Sequence, residues 1–175
     1  NNTFKHYQLE NNGKSDSLKR RYDQTVNVIY KDSRKNIWLG TRDRGVCIYD
    51  SVKDNFRFFK VPQDKYPPLV PSLGSSNAVL SIRESSNNDS IVWAGTPSGL
   101  VKMNRYSGDV KIFTFPQQSK DYQVALNAFR RLYQHDDGLL YVGSWGASVN
   151  VFDPLTNTFT PLQVKNEEGK KLLAG

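Results

Sequence analysis

Short apolar runs alternate along this chain with clusters of Asp, Asn, Ser, Gly and Lys. The run Ile37-Trp38-Leu39-Gly40-Thr41, followed by Gly45 and Val46-Cys47-Ile48-Tyr49-Asp50, returns twice in degenerate form. Its second copy is Ile91-Val92-Trp93-Ala94-Gly95-Thr96, with Gly99 and then Leu100-Val101-Lys102-Met103-Asn104. Its third is Leu140-Tyr141-Val142-Gly143-Ser144, with Val149-Asn150-Val151-Phe152-Asp153. The shared glycines at 40, 95 and 143 lie 55 and then 48 residues apart. The runs are too short for helices and rich in β-branched and aromatic residues, so each reads as a strand.

Each repeat predicts four strands, lettered A to D by position. In the first they fall at 25–30, 37–41, 46–49 and 56–61; in the second at 78–83, 91–95, 100–103 and 110–115; in the third at 128–133, 139–144, 149–152 and 159–162. Asn2-Thr3-Phe4 matches Asn157-Thr158-Phe159, so the segment 1–9 reads as the D strand of a preceding repeat, which makes 13 strands. A period near 50 built of four short strands predicts an all-β fold, a β-propeller fragment of about three four-stranded blades. The expected division is 1–9, blades at 24–61, 77–115 and 127–162, and a connection at 163–175. Only 121–131 can be drawn as a helix, and its alignment with the other A strands makes it loop plus strand.

The turn residues fit this frame. Asp50, Asn104 and Asp153 close the C strands with side chains able to accept backbone N–H groups of the next turn. Asp54, Gly108 and Asn157 share one position of that turn, and all tolerate positive φ. Gly138 sits in an A–B turn slot that holds Lys35 in the first repeat, so Lys35 is expected to be strained there. The glycines at 40, 95 and 143 mark a place where neighbouring groups leave no room for a Cβ. Trp38 and Trp93, each two residues before such a glycine, are expected between blades.

Composition adds less. Lys and Arg number 24 against 17 Asp and Glu, a formal charge of +7. The basic residues are interspersed with acidic ones, so a solvated surface accounts for them, and nucleic-acid binding is supported only by the charge and by Arg130-Arg131 on a strand. Cys47 is the single cysteine, which excludes an intrachain disulfide, and its apolar setting makes it a packing residue. No apolar stretch reaches membrane-spanning length and no signal-peptide pattern opens the chain. His6 and His135 have no metal-ligand spacing. No paired carboxylates recur at matched positions to suggest glycoside hydrolysis. No cofactor and no catalytic residue is therefore assigned.

With these residues in view, the stretch 28–41, followed by Gly45 and Tyr49-Asp50, resembles the two-component-regulator propeller repeat. Ser144-Trp145-Gly146 before 149–153 resembles another variant of it. Lys35 and Ser148 stand where that repeat usually has Gly. The resemblance implies the periplasmic sensor region of a Bacteroides-type hybrid two-component system. It implies a homodimeric parent that carries further blades, a membrane anchor and a histidine kinase outside this chain, and an oligosaccharide as the signal. This chain would be part of one propeller without enzymatic activity. Three blades cannot close around an axis, so the isolated segment is expected to associate. A propeller that binds proteins without a small ligand is the alternative.

Successive connections in an antiparallel blade alternate between its two ends. The B–C loops and D–A connections therefore share one end, with the long segments 10–23, 62–76 and 116–126. Loops of that kind carry function on a rigid scaffold. The candidate ligand residues at this end are Arg42, Arg44, Tyr22, Tyr122 and Trp145, planar cations and aromatic faces suited to sugars. Each has a structural alternative: Arg42 and Arg44 as partners of Asp43 or a neighbouring carboxylate, and Trp145 as a channel plug. Gln24, Asn77 and Asn127 share one position at the entry to strand A, where they either line the axis or satisfy backbone groups.

Overall fold

The computed structural model describes residues 5, 7, 25–59, 78–115, 128–144 and 149–163. Twelve strands form among them, in three sheets of four. The first sheet contains β1 (Val26–Lys31), β2 (Ile37–Thr41), β3 (Val46–Asp50) and β4 (Asn55–Phe59). The second contains β5 (Ser81–Glu84), β6 (Ile91–Thr96), β7 (Gly99–Asn104) and β8 (Val110–Phe113). The third contains β9 (Phe129–Gln134), β10 (Leu140–Ser144), β11 (Val149–Asp153) and β12 (Thr158–Pro161). Every sheet is an antiparallel meander in chain order. The described residues contain no helix, and so none long and apolar enough to cross a membrane. The expected strand at 1–9 lies outside the described residues except for Lys5 and Tyr7.

Alternating side chains on each strand divide between the two neighbouring sheets. Trp38, Ile48 and Phe59 of the first sheet pack with Ile82, Val92, Ala94, Val101 and Met103 of the second. The intervening side chains of the second sheet, Ile91, Trp93, Leu100 and Phe113, pack instead with Phe129, Leu132, Leu140, Val142 and Phe152 of the third. The middle sheet is thus covered on both faces, which is why all of β6 is buried and its sequence reads as one apolar run. Trp38 and Trp93 are fully buried between sheets, as their positions predict. Trp38 lies 5.4 Å from the Phe59 ring and Trp93 lies 5.5 Å from Phe152. On its other face the first sheet presents Leu39 and Cys47 with Phe56 and Phe58, and Tyr7 meets the Tyr49 and Phe56 rings edge-on. Burial pushes the Cys47 thiol up to about 12 against a weaker opposing pull from Arg44, so it stays protonated and packs as a small apolar residue.

The turns behave as their residues dictate. Asp50 Oδ1 accepts the Val52 and Lys53 N–H groups, Asn104 Oδ1 accepts those of Tyr106 and Ser107, and Asp153 Oδ1 accepts that of Leu155. Asp54, Gly108 and Asn157 all have positive φ, at 51°, 80° and 58°. Lys35 takes φ 67° in the slot where Gly138 takes 93°, so it carries the strain that its repeat position implies. The first strands of successive sheets approach one another, β1 to β5 and β5 to β9, so they line the side on which the sheets converge.

Candidate functional site

Register places three residues at one equivalent position near the end of strand A. Tyr30 lies opposite Trp38, Arg83 opposite Trp93, and Tyr133 opposite Tyr141. Together with the A–B turns that follow them, these residues line an open cavity of about 890 Å³. Ser33 of the first turn, Ser86, Asn87 and Asp89 of the second, and Gln134 at the end of β9 complete its polar wall. The cavity therefore sits at the short-turn end of the blades, opposite the long connections.

Its floor is rigid because each turn is fastened to the next. Glu84 accepts the Ser33 N–H and the Ser33 hydroxyl, both at 2.8 Å, and meets the Tyr30 hydroxyl at 3.4 Å. Burial, ahead of the Glu84 charge, pushes the Tyr30 phenol above its ordinary value, so it remains a neutral donor. Arg34 pairs with Asp89 across the first and second turns. Between the second and third turns, Gln134 Nε2 donates to Ser86 Oγ at 3.1 Å, and Ser86 donates to the His135 carbonyl at 3.1 Å. Gly138 suits this turn through its φ of 93°, and a Cβ on it would make the Asn87 side chain swing aside.

Behind Glu84 lies a buried charge cluster. Arg105, from the C–D turn of the second sheet, reaches back to the first sheet and places Nη1 2.7 Å from Asp32 Oδ2. Its Nη2 stands 3.7 Å from Glu84 Oε2, and its side chain is 3% exposed. Asp32 also accepts the Trp38 indole N–H at 2.9 Å and both the Asn36 backbone and side-chain N–H groups. Burial alone would push the Asp32 carboxyl up. The bonds from Trp38 and Asn36, with the Arg105 guanidinium behind them, outweigh it and hold the carboxyl below its ordinary value. Arg105 stands where the other repeats have Ser51 and Pro154, so repeat comparison alone does not single it out.

At the opposite end, Arg42 and Arg44 are the candidate residues within the described chain. Arg42 Nε approaches Asp43 at 4.0 Å, and its backbone N–H binds the Thr25 carbonyl. The Arg44 guanidinium lies 4.7 Å from the centre of the Phe58 ring, and its N–H donates to Thr41 Oγ1. Tyr22, Tyr122, Trp145, Gln24, Asn77 and Asn127 lie outside the described residues. The cavity residues carried a signal in the sequence: Tyr30 and Tyr133 each precede the repeat glycine by ten positions. The short turns beside them look purely structural, and that concealed the pocket they enclose.

Three meandering four-stranded sheets packed face to face around a shared inner edge define a segment of a β-propeller. Residues 23–43 match the family model of the two-component regulator propeller, so the chain carries that repeat. No curated protein matches the sequence. Among solved structures, it is similar to the extracellular domain of a proposed hybrid two component system, BT3049, from B. thetaiotaomicron. That match has 21% identity and a TM-score of 0.54, over 77% of this chain and 16% of the other. The corresponding domain of BT4673 from the same organism matches with 20% identity and a TM-score of 0.58, over 82% of this chain and 17% of the other. A virginiamycin B lyase from Staphylococcus aureus matches with 16% identity and a TM-score of 0.56, over 80% and 42%. At such identities the likeness is one of fold, and the chain spans about a sixth of the two sensor domains.

Proposed function

We propose that this chain is a ligand-reading segment in the periplasmic part of a hybrid two-component sensor, whose signal is an oligosaccharide passed on to a histidine kinase. The observation that carries the reading is the cavity in which Tyr30, Arg83 and Tyr133 converge from three successive blades. Sugars are held by flat apolar surfaces beside fixed polar groups that pair with hydroxyls. Here the Tyr133 ring is more than half exposed, and the amide of Gln134 is locked in place beside it. The repeat supplies the sensor context, in which a homodimeric parent chain would provide the remaining blades, the membrane anchor and the kinase.

The cavity is preferred over the long-loop end because Arg42 and Arg44 are already engaged there with Asp43 and Phe58. A contact through Arg42, Arg44, Tyr22, Tyr122 and Trp145 remains the alternative location, with Gln24, Asn77 and Asn127 lining the axis. One observation favours a second reading, a propeller that docks proteins. Val52, Tyr106 and Leu155 occupy one equivalent C–D turn position and are 93%, 59% and 86% exposed.

A thermal-shift screen of the full-length protein against oligosaccharides, nucleic acid and buffer separates these readings. A saccharide at about a hundred times its Kd should add about 2.7 kcal/mol of stability. Tyr133→Ala should abolish that shift, whereas the pair Arg42→Ala and Trp145→Ala should leave it intact. A shift lost only in the second pair moves the site to the long-loop end. Absence of any saccharide shift sinks the carbohydrate reading.

A further inference from the structure

We propose that the cavity selects an acidic sugar, with Arg83 binding its carboxylate or sulfate group; this rests on the carbohydrate reading above. Three charged side chains line the cavity, and two of them are already compensated. Glu84 accepts two hydrogen bonds from Ser33 and faces the buried Arg105, while Asp89 is paired with Arg34. Arg83 is the third. Its Nη1 donates only to the carbonyl of Ile82, its own neighbour, at 2.6 Å. Its guanidinium lies 5.7 Å from the Tyr30 ring centre, and no ion pair to a carboxylate forms at it among the described residues. Among the described residues the positive charge in the cavity thus has no acidic partner.

A guanidinium held over a ring keeps its planar fork fixed, which suits two-point recognition of a carboxylate or sulfate. Arg131 lies two residues further from the turn than Tyr133 on the same strand, and it too bonds carbonyl groups, those of Leu80 and Arg130. The cavity thus presents a cation for an acidic group and the Tyr133 ring for a pyranose face.

The test titrates the full-length protein with trigalacturonate, a sulfated galactan oligosaccharide, the neutral galactan oligosaccharide of equal length and inorganic sulfate. One or both acidic saccharides should bind at least about tenfold tighter than the neutral one, and the preference should weaken as salt rises. Whichever acidic sugar binds better distinguishes carboxylate from sulfate recognition. Arg83→Gln should remove the preference while neutral binding persists, and Arg83→Lys, which keeps the charge but not the fork, should retain part of it. Equal binding of acidic and neutral sugars, both weakened by Tyr133→Ala, would overturn the acidic selectivity and leave the carbohydrate site standing. Preference for inorganic sulfate over both acidic saccharides would overturn it as well. If no saccharide binds, or if binding ignores both Arg83→Gln and Tyr133→Ala, the selectivity and the site fall together. Melting curves of the variants confirm that each is folded.

Discussion

Arg105 and Asp32 show how much one pair of side chains commits between two blades. Each belongs to a different sheet, both are buried, and the carboxylate already holds the Trp38 indole and the turn at Asn36. Removing one partner of such a pair leaves the other charged, buried and unmatched, which costs about 3–5 kcal/mol. Arg105→Ala is therefore expected to lower the stability measured by chemical denaturation by that amount. Arg105→Met, which keeps an apolar stem but loses the guanidinium 5.8 Å from the Trp38 ring centre, still strands the carboxylate and should recover little. The pH dependence has a definite sign. The Asp32 carboxyl is held below its ordinary value in the folded chain, so its contribution is complete above the unfolded value of about 3.9 and is lost as pH falls through the folded one. In Arg105→Ala that acid loss should begin at a higher pH. An unchanged acid transition would show that Trp38 and Asn36, not Arg105, set the carboxyl.

At the scale of strands and sheets, the repeat glycines separate what the pattern told from what it concealed. Their spacing located every B strand, because β2 and β6 put an apolar residue on each face around a glycine that neighbouring atoms overlie. A Cβ on Gly40 would meet Val28 Cγ1 at 2.4 Å and Val79 Cγ1 at 2.6 Å. On Gly95 it would meet the Phe129 carbonyl oxygen and Ser81 Oγ, both at 2.7 Å. Valine side chains can shift, whereas a strand carbonyl cannot move without its ladder. Both alanine variants should lose about 1–3 kcal/mol, with Gly95→Ala the worse, as denaturant midpoints would show. Equal, negligible losses would mean that the sheets are spaced more widely than this packing. The turn chemistry was legible for the same local reason: Asp50, Asn104 and Asp153 act within their own turns. Glu84 and Arg105 reach partners 51 and 73 residues away in another blade, and no short-range pattern in one repeat announces a partner in the next.

For the molecule as a whole, the question is what covers the far face of the third sheet. In the first two sheets the atoms that crowd the repeat glycine include residues of the following sheet, Val79 over Gly40 and Phe129 over Gly95. At Gly143 the nearest atoms belong to its own sheet, Arg131 Cβ at 3.7 Å and its carbonyl oxygen at 3.8 Å, so a Cβ is accommodated among the described residues. The same face carries the half-buried Tyr141 and Val151. Repetition of the packing rule requires a further blade to set a residue equivalent to Val79 or Phe129 against Gly143. Gly143→Ala thus reads the presence of that blade directly. In the 175-residue chain alone it should be neutral, or stabilising by about 0.5–1 kcal/mol through reduced backbone freedom. In the full-length protein it should cost about 1–3 kcal/mol, as at Gly40 and Gly95, because the new methyl then meets the next blade. Denaturation of the variant in both contexts decides the matter: a neutral effect in each means that no blade stacks on the third sheet, and the propeller does not continue past it.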